Sequence, residues 1–112
     1  MIGQPLDALD TPQLSIDLDT LDAIHARVQA GCAKHKVHLR VHFKSLKCVR
    51  LAKYLVGHGV DSFFCAKLNE AEVLAEAGIG GILIANEIVG ATSCSRLRDR
   101  VDCHCRFGKS RI

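Results

Sequence analysis

The sequence predicts a parallel α/β fold in which short buried strands alternate with amphipathic helices. Three observations carry that prediction. Segments with apolar residues every three or four positions alternate with strand-like runs in the order α-β-α-β-α-β. The run GILIAN, residues 81–86, is continuously apolar between a glycine and a polar end, as in a strand covered on both faces of a parallel sheet. The spacing between the runs is that of right-handed crossovers. An open doubly wound sheet and the opening units of a (β/α)8 barrel both satisfy this pattern. At 112 residues the chain is one domain at most, well short of the about 250 residues of a whole eight-stranded barrel.

Each element has its own warrant. Asp17 or Asp19 can cap a helix whose apolar positions Leu18, Leu21, Ile24, Val28 and Cys32 share one side, and that helix should end near His35. From Val37 the period changes to two. Val37, Leu39, Val41 and Phe43 fall on one face of a strand, and His38, Arg40, His42 and Lys44 on the other. Ser45 is a candidate N-cap for a second helix through Leu51, Ala52, Leu55 and Val56, stopped by Gly57 and Gly59. VDSFFCA, residues 60–66, reads as the second strand. Asn69 to Glu72 resembles a capping box opening a third helix, with Gly78 at its left-handed end. Beyond residue 90 the pattern weakens to a possible short helix around Leu97. Residues 1–90 are therefore read as the α/β part and 91–112 as a basic, cysteine-rich tail without regular order.

Composition excludes several classes. No apolar run approaches the about 18 residues of a membrane span, so no membrane partner is expected. MIGQPLDALDTPQ has neither a basic nor an apolar leader region, and a cytoplasmic location is expected. Residues 1–92 carry 9 Lys and Arg against 10 Asp and Glu, and residues 93–112 carry 6 against 2. Six cations without interleaved aromatic residues read as a solvated end rather than a nucleic-acid contact. Without a leader, six cysteines do not read as a disulfide framework. Cys32, Cys48 and Cys65 fall in or beside apolar segments and are expected in the core. Cys94, Cys103, His104 and Cys105 have zinc-ligand chemistry, but their spacing matches no standard finger, and no metal site is assigned.

The stretch RVHFKSLK, residues 40–47, sets Arg40, His42, Lys44 and Lys47 where a strand should approach the core. In parallel α/β folds reactive groups sit at the carboxyl ends of strands. Lys44, Lys67, and Asn86 with Glu87 follow the three predicted strands and should meet on one rim. Cations around Lys44 would favour its neutral, nucleophilic amine and would attract an anionic ligand such as a phosphorylated aldehyde. A strand solvated on its basic side has the same alternation, so residue pattern alone leaves both readings open.

The segments DTPQLSIDLDTLDA, LRVHFKSLKC and CAKLNEAEVLAEAGIGGILIANEIVG resemble, in order and spacing over roughly residues 7–90, the D-threonine aldolase and D-serine dehydratase group of the alanine racemase N-terminal-domain superfamily. That group carries an R-P-H-x-K-T-H-K run whose first lysine holds pyridoxal 5'-phosphate covalently, and the matching position here is Lys44. The resemblance implies a pyridoxal phosphate-binding (β/α)8 barrel, here cut to about three strands. It implies lysis or elimination on D-amino acids with a β-hydroxyl, and Arg40 and His42 on the cofactor side of the strand. It also implies a divalent metal, whose ligands lie in a later region of the family that this sequence does not contain. A homo-oligomer is compatible with it. Three positions depart from the run: Val41 replaces Pro, Ser45 replaces Thr and Leu46 replaces the second His. The length predicts a weakly active or inactive lyase, with a non-catalytic cofactor-binding or interaction remnant as the alternative.

Overall fold

A computed structural model describes residues 5–100, which fall into two compact units divided after His38. Beyond a short 3-10 turn at Leu6–Ala8, the first unit is built on helix α1, Leu18–Lys34. Its N-cap is Asp17, whose Oδ1 accepts the Thr20 amide at 3.0 Å. That bond holds the Asp17 carboxyl below its usual range, since only the anion accepts it fully. The helix closes with Lys36 at a left-handed φ of 54° and the Val37 amide donating to the Cys32 carbonyl at 3.0 Å. Its apolar side is not buried: Ile24 and Val28 are exposed, and Leu21 and Cys32 are half-buried.

The second unit holds a three-stranded parallel sheet in the order β1 (Val41–His42), β2 (Phe63–Cys65), β3 (Ile82–Ile84). Between them run α2 (Phe43–Leu46), α3 (Val49–Gly57) and α4 (Leu68–Glu76), and α5 (Ala91–Arg100) follows β3. The predicted α/β class and parallel order are those observed. Register places Val41, Phe63 and Ile82 in one row, and His42, Phe64 and Leu83 in the next. Because side chains alternate across a strand, the first row and Cys65 share one face, and the buried core holds Phe63, Ile82 and Cys65 together with Ala52, Leu55, Ala71 and Leu74. Phe63, Cys65 and Leu74 are fully buried, and covering a side chain as large as Phe63 or Leu74 contributes about 1.5–3 kcal/mol. The second row is only half-buried.

Several local expectations are corrected. The first strand is two residues long rather than seven, because only Val41 and His42 pair with β2 and the chain then coils into α2. Ser45 does not cap the next helix; α3 begins after Cys48, which has extended backbone and contributes no side-chain cap. Cys48 is consequently exposed and Cys32 half-buried, which leaves Cys65 as the core thiol of the three. The start of α4 lies two residues earlier than expected, and Glu70 supplies its reciprocal cap, accepting the amides of Ala66 at 2.8 Å and Lys67 at 3.3 Å. GILIAN is covered mainly at Ile82, while Leu83 and Ile84 are half-buried. Residues 91–100 form α5, where the sequence showed only a possible short helix; residues 101–112, with Cys103, His104 and Cys105, lie outside the described residues.

Glycines end two of the helices as expected. Gly59 and Gly78 take φ of 91° and 77°, and the amides that follow them, Val60 and Ile79, donate to the carbonyls of Leu55 and Leu74 at 3.0 Å each. Gly81 has a different task. It starts β3 at φ +66°, and a Cβ there would lie 2.2 Å from the Asp61 carbonyl oxygen. Only glycine lets β3 come this close to the entry of β2, where the Phe63 amide donates to the Gly81 carbonyl at 3.1 Å.

Candidate functional site

Parallel pairing brings the carboxyl ends of all three strands to one edge of the sheet. Lys44 follows β1 by two residues, Lys67 follows β2 by two, and Asn86 and Glu87 follow β3. All four are exposed. The rim expected from the sequence is thus present at the level of the backbone. Lys67 is the cap residue of α4. Asn86 folds its Oδ1 back to accept the amide of the next residue, Glu87, at 3.0 Å.

The turn that carries Lys44 is the most closely specified part of this edge. His42 ends β1 with extended backbone and caps α2 with its own ring: the Lys44 amide donates to His42 Nδ1 at 3.2 Å. Ser45 Oγ donates to the His42 carbonyl at 2.7 Å, so the hydroxyl retained at this position ties the same turn from its other side. Phe43 is buried beneath it. The far end closes at Lys47, which takes a left-handed φ of 46° and returns its amide to the Phe43 carbonyl at 2.9 Å. A buried aromatic, a ring cap and a hydroxyl bond fix four residues of backbone, and Lys44 stands exposed on that mount.

His42 also meets Phe64 across the sheet, ring centroids 4.6 Å apart and planes at 68°, an edge-to-face contact. Phe64 is the site-forming residue that sequence reasoning missed. Its signal was the alternation in SFFC, which must send one of two adjacent phenylalanines to each face of a strand. With Leu83 in the same row, the half-open face beside Lys44 is partly aromatic and apolar. Arg40 is the residue that the geometry separates from Lys44: it precedes β1, and its Nη1 donates to the Gly81 carbonyl at 3.4 Å, at the amino ends of the strands. An exposed primary amine at the same end of the sheet as a half-buried row with two rings fits an aldehyde cofactor such as pyridoxal phosphate, which Lys44 would hold. Among the described residues, no group of three or more His, Cys, Asp or Glu is placed to hold a metal ion. No described helix is long and apolar enough to cross a membrane.

Comparison with known proteins adds an independent line. The family described as alanine racemase, N-terminal domain, matches residues 16–105. A D-threonine aldolase of Arthrobacter sp. is 38% identical over 95 residues, which are 85% of this chain and 25% of that protein. A 3-hydroxy-D-aspartate aldolase of Paracoccus denitrificans is 32% identical over 96 residues, with the same shares of 85% and 25%. A D-threo-3-hydroxyaspartate dehydratase of Delftia sp. is 38% identical over 77 residues, 69% of this chain and 20% of that protein. The crystal structure of D-threonine aldolase from Filomicrobium marinum superposes with a TM-score of 0.76 at 36% identity, covering 86% of this chain and 27% of the other. The chain therefore spans about a quarter of the length of the curated relatives it matches.

Proposed function

Because the chain belongs to the alanine racemase N-terminal-domain family, we propose that it carries the cofactor-holding lysine of a pyridoxal phosphate-dependent lyase acting on D-amino acids with a β-hydroxyl. The observation that carries this reading is the exposed Lys44, mounted on a turn capped by His42 at the carboxyl end of β1. When bound, the cofactor ring supplies an electron sink for charge developing at the substrate Cα. The chain supplies the amine that anchors it. The half-open row of His42, Phe64 and Leu83 offers a partly aromatic, half-buried surface against which a ring can pack, and the Ser45 hydroxyl, bonded to the His42 carbonyl, keeps the lysine's backbone from drifting. Lys67, Asn86 and Glu87, on the same edge, are the groups available to the substrate's polar ends. Arg40, bonded at the opposite ends of the strands, contributes through its charge and not by contact with Lys44. The names of the relatives support aldol cleavage between Cα and Cβ, or dehydration, of a D-β-hydroxy amino acid, with D-threonine and a 3-hydroxy-D-aspartate as candidate substrates. A reducing cytoplasmic setting suits the unpaired thiols of Cys32, Cys48, Cys65 and Cys94.

The test separates capture from turnover. The chain is incubated with pyridoxal phosphate, reduced with borohydride and mapped by mass spectrometry. Label concentrated on Lys44 and lost in Lys44→Ala supports the reading. Label spread over many lysines, unchanged in Lys44→Ala, rejects it. Acetaldehyde released from D-threonine then distinguishes a working lyase from a chain that holds the cofactor without turning substrate over.

A further inference from the structure

We propose that His42 is a positioning residue, whose Nδ1 accepts the Lys44 backbone amide and so fixes the turn on which the Lys44 amine is presented. This rests on the reading of Lys44 as the cofactor-holding residue and assigns His42 a role that reaches the cofactor through the backbone. The 3.2 Å bond uses Nδ1 as an acceptor, so in the neutral ring the proton sits on Nε2. Three further contacts hold the ring and its backbone still. The ring packs edge-to-face on Phe64, the His42 carbonyl takes the Ser45 hydroxyl, and the preceding Val41 amide donates to the Ser62 carbonyl at 3.2 Å, pinning the start of β1 to the entry of β2. A helix of four residues has almost no cooperative stability of its own. The direction in which Lys44 leaves the sheet therefore depends on its cap and on the buried Phe43. A histidine in the last position of a strand is an unusual cap, but its Nδ1 lies as many bonds from Cβ as the Oδ1 of asparagine, a preferred capping atom.

That correspondence supplies the test. His42→Asn keeps an acceptor where Nδ1 was, His42→Gln keeps a polar group where Nε2 was, and His42→Ala keeps neither. Two readouts are taken on the full chain after circular dichroism has established folding: hydrogen exchange of the Lys44 amide, which needs no cofactor, and the rate of borohydride-trapped pyridoxal phosphate labelling at Lys44. We expect the amide to be protected in the parent and His42→Asn and to exchange freely in His42→Gln and His42→Ala. Trapping should follow the same order, slower on the order of tenfold where the cap is lost. Nitrogen shifts of the parent ring should report the Nε2-protonated tautomer. Equal amide protection in all four chains overturns the proposal. So does trapping that survives in His42→Gln and fails in His42→Asn, because the ring would then act through Nε2. A parent chain with a protected Lys44 amide but no label on Lys44 removes the cofactor reading while the exchange data still uphold the cap.

Discussion

At the scale of single residues, two positions hold the core together by what they exclude. Gly81 excludes a side chain: an added Cβ would meet the Asp61 carbonyl oxygen at 2.2 Å, and its φ of +66° is strained for any L-residue. Its neighbour Gly80 has open space around it and no left-handed φ. Gly81→Ala should therefore cost at least about 2–3 kcal/mol, from left-handed strain and from prising β3 off the entry of β2. Gly80→Ala should stay within about 1 kcal/mol of the parent. Urea unfolding of the two variants side by side checks this, and equal midpoints would show that the close approach does not bear on stability. Cys65 excludes water. Burial, reinforced by the nearby Glu70 carboxylate, pushes its thiol from an ordinary 9.0 up to about 12. Below pH 9 the thiol is protonated whether the chain is folded or not. As pH rises beyond that, the unfolded chain releases this proton first, so stability should fall from about pH 9 through about 12. In Cys65→Ala the baseline is lower but the alkaline slope should be shallower, as urea midpoints between pH 8 and about 10.5 would reveal. Neutral-pH alkylation should mark the exposed Cys48 and Cys94 and spare Cys65 until the chain unfolds.

At the scale of elements, an ion pair ties α5 to α4. Glu72 on α4 is buried with only 6% of its surface exposed, and Arg96 on α5 approaches it with two nitrogens, Nε on Oε1 at 2.9 Å and Nη2 on Oε2. The carboxylate raises the Arg96 pKa further above its already high ordinary value, chiefly through these bonds. A buried charge that loses its partner is costly, whereas replacing both charges with apolar groups of similar volume is often neutral. Arg96→Ala should free the amides of α5 to exchange on the order of tenfold faster and destabilise α4, while the double variant Glu72→Met/Arg96→Met should recover most of the protection. Equal exchange in the parent and Arg96→Ala would mean that α5 is held by something else. This pair also marks where sequence reading gave out. The helices from Leu18 and Val49 were legible from their apolar period, the first also from its Asp17 cap and the second from the glycines at its end, because these are local properties; the start of the second was not, since Ser45 does not cap it. The segment from Ala91 to Arg100 lacks an apolar period, and its partner Glu72 is 24 positions away, a distance no local pattern encodes. The same reason explains β1. Alternation of Val37, Leu39, Val41 and Phe43 is genuine, but a strand exists only where it has a partner, and β2 offers register for Val41 and His42 alone. Lys44 is a candidate that the motif supplies, whereas the turn that carries it could not be read, since a histidine ring as a helix cap has no signature in sequence.

At the scale of the whole molecule, the decisive feature of the second unit is a parallel sheet with one covered face and one half-open face. Among the described residues β1 and β3 each pair with β2 only, so each leaves one row of backbone groups without a strand beside it. Parallel strands are normally covered on both faces and flanked by further strands, because unpaired edges and apolar rows recruit other chains. The row His42, Phe64, Leu83 and the exposed Val89, 79% accessible, are apolar surface of this kind. The aldolase that superposes on this chain has nearly three quarters of its length beyond the shared portion. For the 112-residue chain alone, we expect association that grows with concentration and proceeds through the sheet. Leu83 is the position that discriminates, since it lies on an edge strand within the half-open row, where a lysine can lift its charge into water and repel a second edge. Leu83→Lys should shift the chain toward monomer in light scattering coupled to size exclusion, with its circular dichroism unchanged. Val73→Lys, an equal change on the exposed side of α4, should leave the association as it was. If the helix substitution disperses the chain as well as the strand substitution does, the contact is a general effect of charge and the sheet is not its seat; if neither does, the half-open row is satisfied within a single chain.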